Sequence, residues 1–403
     1  MKEVVRIIGR SDNYLNYVVS DSLLYIFLVN RKHQQIITAE IDSSFFNMLR
    51  AFRTLLSNSD LSVNARGKFN SYQQNGYDLY KILIEPVRRY FISEELLISP
   101  DNILSYLPFE TFLSSTYKGD GIVYRKLPYL MDEFNISYTY SASFMKETND
   151  REYGKTTELI AFAPSYPREV YIDSLFVRRQ AGREILYDLP YARMEAQYVS
   201  DVADGILYIN KEARESVFKA ESGKYDIIHL AMHTYLNDQN PMSSAMIFTQ
   251  NNDMTEDGLL NTYEVYGIPL KARMVVLSSC NTGSGFLSSG EGILSLARGF
   301  LYSGSQSVVM SMWEIEDQSG TDIIKMFYDN LLKGKSKSNA LKKARTLYLR
   351  KASQLKSHPY YWSSLVVYGD KSPVCSSGTL LVTVVCIICI LILSAYFRYR
   401  RYS

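Results

Sequence analysis

Two residues have the types and the setting for nucleophilic chemistry. His233 closes the apolar run of YDIIHLAMHTYLND, and Cys280 closes the next comparable run, in ARMVVLSSCNTGSG. An imidazole within reach of a thiol can take its proton and leave a thiolate nucleophile. Asn281, Thr282, Gly283, Ser284 and Gly285 follow the thiol. Backbone N–H groups of such a polar, glycine-bearing segment, around Gly283, or at Thr234 beside the histidine, suit an oxyanion. A cysteine kept for packing alone needs no such segment. In outline this is a cysteine-peptidase dyad.

The dyad requires its two runs to be neighbouring strands. Both are short and rich in Ile, Val and Leu, as buried parallel strands are, and reactive groups in open α/β sheets collect where such strands end. The surrounding segments alternate: a helix near Lys211 to Glu221, strand YDIIHLA, a hairpin-like SSAMIFTQNNDM, helix TYEVYGI, strand RMVVLSS, helix EGILSLARGFLYS, strand SVVMSMW and helix GTDIIKMFYDNLL. Alternation of this kind predicts a mostly parallel sheet with right-handed crossovers, flanked by helices. Upstream, Tyr14 to Thr38 reads as an antiparallel flap at the sheet edge. Asp42 to Ser57 reads as an amphipathic helix capped by Asp42 or Ser43, and a second helix is expected over Tyr72 to Arg89, before a short strand at Glu95 to Pro100. NISYTYS and ELIAFAP read as strands separated by a charged loop, KETNDREYGKTT, open to flexing or cleavage. In LPYARMEAQYVSDV, helical spacing puts Met194, Tyr198 and Val202 on one face.

Composition narrows the classes of function. With 403 residues and 46% hydrophobic content the chain can bury a large core, and 44 Lys+Arg against 42 Asp+Glu leave a net charge of +2, too balanced for a nucleic-acid surface. The four cysteines, Cys280, Cys375, Cys386 and Cys389, give no disulfide framework. No cofactor or metal motif is complete. His229 and His233 form H-x-x-x-H on what reads as a strand, where four residues span about 13 Å, too far for one zinc ion. His229 then reads as a packed strand residue, and His358 as a turn or packing residue. GSGFLSSGEG lacks the ending of a P-loop and the spacing of a dinucleotide site.

From Thr379 to Phe397 the chain carries no charge, and as a helix this stretch spans about 28 Å, a membrane-crossing length. Tyr396, Phe397 and Tyr399 are interfacial aromatics, and Arg398, Arg400 and Arg401 open a basic tail at 398–403. The start, MKEVVRIIGRSDNY, has no secretory apolar core, so the body is expected in the cytoplasm, anchored by a single C-terminal helix.

Several segments together resemble the CHAT domain, a caspase-like family of the same clan as caspases and separase. They are LLISPDNILSYLPFETF, YLMDEFNISYTYSAS, LIAFAP, LPYARMEAQ, IIHLAMH, NPMSSAMIF, VVLSSCNTGSG, GEGILSLARGFLYSGSQSVVMSMWEIED, MFYDNLLKG, ALKKAR and HPYYWSSLVVYGD. The resemblance implies a caspase–haemoglobinase-like α/β fold with an N-terminal antiparallel and helical part. It divides the chain into a pseudo-caspase-like part over 1–150 and a catalytic part over 151–371. His233 is then the general base and Cys280 the nucleophile. The family usually has Gly after the histidine, where Thr234 stands here; if a positive φ is needed there, activity suffers.

In such a fold the residue preceding the cut is read by charge at the base of a pocket. Glu314, Glu316 and Asp317 follow SVVMSMW; Asp317 best fits the family pattern, with Glu314 beside it, and carboxylates there select a basic side chain. The expectation is a membrane-anchored cysteine endopeptidase that cuts a protein or peptide without a cofactor, switched on by a separate activator or sensor protein. The alternative is a silent scaffold that holds a partner at the membrane through the same cleft.

Overall fold

The computed structural model describes residues 2–375, apart from 10–11, 59, 61–62, 152, 154–155, 167–185, 238–239, 251–254, 279–284, 289–291 and 315, with 2, 285–288 and 292–295 as backbone alone. The main sheet is built, in chain order, from β1 (Asp12–Val19), β2 (Leu23–Val29), β3 (Gln34–Glu40), β4 (Glu95–Ser99), β5 (Asn135–Tyr138), β6 (Leu159–Pro164), β7 (Ile206–Asn210), β8 (Ile227–Leu230), β9 (Met274–Leu277), β10 (Ser307–Ser311) and β11 (Leu365–Gly369). Its 11 strands lie in the order β3-β2-β1-β4-β5-β11-β10-β9-β8-β6-β7. The run β10-β9-β8-β6-β7 is parallel throughout, and β8, β9 and β10 are buried along their whole length. Apolar strands without alternation are what a parallel sheet covered on both faces demands. As the sequence predicts, β1, β2 and β3 form an antiparallel flap at one edge.

The helices used below are α1 (Ser43–Ser57), α2 (Ala65–Leu83), α3 (Pro190–Ala203), α4 (Glu215–Glu221), α5 (Leu296–Tyr302), α6 (Asp317–Leu331) and α7 (Lys337–Lys351). Asp42 caps α1 by accepting from the Ser44 and Phe45 N–H groups. Four expectations need correction. The second helix begins at Ala65, behind an Asn64 cap. Its outward-facing polar residues hid the first turns. The charged loop is partly a helix, Ala142–Asn149, which Ser141 caps at the Phe144 N–H. The helix after the glycine-rich segment starts only at Leu296, because Gly292–Ser295 pairs as a strand with Gly285–Ser288. The hairpin contributes one strand, Ala245–Ile247, which pairs antiparallel with Leu259–Asn261 and Thr234–Tyr235.

Between β5 and β11 the backbone ladder thins to a single bridge, Tyr138 to Tyr368. Side chains close that seam. The two tyrosine rings stack at 5.2 Å. Buried Arg345 donates to Glu110 at 2.9 Å and to the Leu365 carbonyl, while Glu110 accepts the Tyr138 hydroxyl at 2.5 Å. Lys371 reaches Asp12 and Glu95, each at 2.6 Å. Among the described residues no helix is long and apolar enough to cross a membrane; the stretch at 379–397 and the tail at 398–403 lie outside them.

Candidate active site

The site forms where β8 and β9 end. Ile227 pairs with Met274 and Leu230 with Leu277, and the Ser278 N–H donates to the Leu230 carbonyl at 2.9 Å. His233 and Cys280 each stand three positions past the last of those pairs. Cys280 and Gly283 themselves lie outside the described residues.

His233 is held through its backbone and through one ring nitrogen. Its N–H donates to the Tyr166 hydroxyl at 3.0 Å, and that hydroxyl donates to the Ile247 carbonyl at 2.8 Å. The His233 carbonyl accepts from the Ile247 N–H at 3.0 Å. The Tyr166 ring meets the imidazole edge-on at 4.7 Å. Nε2 lies 2.7 Å from the Tyr187 carbonyl; a carbonyl can only accept, so Nε2 carries the proton and, in the neutral ring, Nδ1 keeps the lone pair. The group able to take a proton is therefore Nδ1.

Thr234 opens the short strand Thr234–Tyr235. Positive φ outside glycine falls on Asn64, Asn102, Asp204 and Asn210 among the described residues, not on Thr234. Threonine in place of glycine thus stores no backbone strain.

A cleft of about 270 Å³ opens beside His233, lined also by Met232, Ser278, Ser311, Tyr360 and four carboxylates: Glu195, Glu314, Glu316 and Asp317. Glu316 caps α6 by accepting the Ser319 N–H at 3.0 Å, and Lys356 approaches it to 3.2 Å. Burial pushes Glu316 upward, but the Ser319 hydrogen bonds and Lys356 outweigh it and leave the carboxyl below its ordinary value. Asp317, the first residue of α6, goes the other way. Burial first, and the Glu195 charge second, push it up to about 6. Glu314 is exposed at the rim. The two carboxylates expected from the sequence thus share one cleft with His233.

Sequence reasoning missed Glu195. It is 2% exposed and projects from α3, where it accepts the Thr321 hydroxyl at 3.1 Å. Its other oxygen lies 3.0 Å from Nε2 of fully buried His229, a contact without hydrogen-bond alignment, and His229 Nδ1 meets the Tyr328 hydroxyl at 3.2 Å. The face shared by Met194, Tyr198 and Val202 points outward, with Met194 54% exposed, while α3 packs through Ala192, Glu195, Ala196 and Val199. Spacing alone held the signal: Ala192, Ala196 and Val199 flank the glutamate at helical intervals.

Elsewhere His358 serves as the N-cap of a short turn, its Nδ1 accepting the Tyr360 N–H at 3.1 Å. Among the described residues one acidic trio has the spacing of metal ligands, Glu215, Glu256 and Glu264. The Lys219 ammonium sits among all three at 2.7–2.8 Å, so the position a cation would take is filled by the chain itself.

Comparison with known proteins agrees with this architecture. The chain is 25% identical over 224 residues to human (Homo sapiens) tetratricopeptide repeat protein 28, an alignment covering 48% of this chain and 9% of that protein. The mouse (Mus musculus) protein of the same name is 28% identical over 123 residues, which is 30% of this chain and 5% of that one. The chain therefore spans less than a tenth of the curated relatives it matches. Two structures of the Saccharomyces cerevisiae separase–securin complex overlay 91% of this chain and 30% of theirs, with TM-scores of 0.54 and 0.55 at 9% identity, a likeness of fold. A sequence model of the CHAT domain matches residues 73–370, and the chain belongs to the CHAT domain family.

Proposed function

We propose that this protein is a membrane-anchored cysteine endopeptidase that cuts a partner protein after a basic residue. The observation carrying the reading is His233, held by the Tyr187 carbonyl so that Nδ1 keeps its lone pair beside an acidic cleft. Nδ1 takes the proton of the Cys280 thiol, and the thiolate attacks the peptide carbonyl. Backbone N–H groups at Thr234 and Gly283 hold the resulting oxyanion. The imidazolium returns its proton to the leaving amine. Water then attacks the thioester with His233 again as base, which frees the thiol. Asp317, with Glu314 at the rim, receives the basic side chain through a charge-assisted hydrogen bond.

In this reading the part over 151–371 is catalytic and the part over 1–150 is not. The helix at 379–397 anchors a cytoplasmic body, and a separate protein supplies activation. Anchoring raises the effective concentration of membrane-bound substrates.

The test is a panel of fluorogenic peptides with Arg, Lys, Asp or Leu before the cut, incubated with the detergent-solubilised full chain and with Cys280→Ala. Cleavage after Arg or Lys that disappears in the variant is the expected result. Silence across the panel together with failure of a thiol probe to label Cys280 sinks the enzyme and favours a scaffold.

A further inference from the structure

The parallel strands have a second end, opposite the cleft, and its surface is built differently. A chain of backbone hydrogen bonds runs along it. The Glu158 carbonyl accepts from Asp226, the Asp226 carbonyl from Arg273 at 2.7 Å, the Ala272 carbonyl from Gln306 at 2.8 Å, and the Gln306 carbonyl from Asp370 at 3.0 Å. These residues precede β6, β8, β9 and β10 and follow β11. The described chain also finishes here. Arg273 donates to the carbonyls of Pro373 and Val374, and the Lys337 N–H donates to the Lys371 carbonyl at 2.8 Å.

Cations crowd this end. Lys224, Lys271, Lys333 and Lys335 are exposed there, and Arg273 and Lys371 are half-buried. Its carboxylates are mostly spoken for: Glu221 pairs with Lys224 at 2.8 Å, Asp370 with buried Lys337 at 3.1 Å, and buried Asp226 accepts the Thr156 hydroxyl. Lys371 holds Asp12 and Glu95, and Glu158 and Asp204, which precedes β7, are exposed.

The uncharged stretch begins at Thr379, four residues after Cys375, and four extended residues reach at most about 14 Å. We infer that this basic end docks on the anionic surface of the bilayer that holds the anchor, with Lys271, Lys333 and Lys335 against the lipid headgroups and the cleft turned away from the membrane. Juxtamembrane lysines are drawn to anionic headgroups within a Debye length of the surface. The inference rests on the anchor of the proposed function.

The test uses the full chain in nanodiscs of phosphatidylcholine, with or without phosphatidylserine. Lysines are acetylated briefly and read by mass spectrometry. Lys271, Lys333 and Lys335 should each be protected about fivefold when phosphatidylserine is present, while exposed Lys211, just past β7 at the cleft end, should label equally in both. A Lys271→Glu/Lys333→Glu/Lys335→Glu variant should stay inserted, and Lys224, which docking of the parent chain should also shield, should label equally in both lipids. Release of the chain by alkaline carbonate overturns the anchor and the docking with it. Retention with equal labelling of the three lysines in both lipids overturns the docking alone.

Discussion

The two ends of β6, β8, β9 and β10 arrange their charges differently. At the cleft end Glu195, Glu314, Glu316 and Asp317 share one cavity, and Lys356 is the ammonium that approaches them, at Glu316. At the other end lysines are spread over the surface while the buried charges there are matched, Lys337 with Asp370 above all. Unmatched charge costs stability, which in the proposed reading the basic side chain of a substrate offsets; breaking a matched buried pair costs the fold. Substitutions at the cleft end should therefore change chemistry, and those at the opposite end should change stability.

The sharpest way to break that contrast is His233→Ala. The cleavage rate should fall about 10³-fold, with little change in melting temperature, as measured by peptide hydrolysis beside differential scanning calorimetry. Lys337→Met should do the reverse. It leaves Asp370 unpaired and should cost about 3 kcal/mol in urea unfolding, while kcat/KM stays at the parent value. A Lys337→Met chain that unfolds normally but cleaves poorly would erase the distinction between the ends.

Asp317→Asn comes next in size. It should lower kcat/KM for Arg and Lys peptides by roughly 10–100-fold and leave a Leu peptide unchanged. Its pH behaviour sharpens the point. Folding lifts the Asp317 carboxyl from 3.8 to about 6, so the folded chain holds an extra proton between those values, and the stability it contributes falls as pH rises through that window. For substrate the sign is opposite. KM for an Arg peptide should climb as pH drops below about 6, and the Asp317→Asn profile should stay flat there. The smallest expected effect belongs to Thr234→Gly. Thr234 stores no positive-φ strain, so glycine should cost about 0.5–1 kcal/mol and bring no gain in rate.

The strand end that bears His233 was legible because a buried parallel strand must be apolar, and polar residues must follow it where the chain leaves the sheet. The same logic carried Glu314 and Asp317 into the cleft from the end of β10. Glu195 was not legible. A carboxylate at a buried helix position looks like any solvated glutamate until tertiary packing brings His229 and Thr321 to it, and the large side chains of α3 drew attention to its outer face. The charge at the far end was hidden for a related reason: Lys271, Lys333 and Lys371 are distant in sequence, and only the crossovers bring them to one edge. The helix at Ala142–Asn149 was obscured because its polar residues read as a loop, although the Ser141 cap was in view.

The single bridge between β5 and β11 has a mechanical consequence. β11 is the last strand before the chain leaves the described body, and it is zipped to β10 through five residue pairs from Ser307↔Gly369 to Ser311↔Leu365. A tug on the C-terminus would load that zipper in shear and pass straight to the strands beneath His233, while the flap side of the sheet, joined to β11 by one backbone bridge and by the side chains of a shared core, would receive the load through packing and not through a ladder.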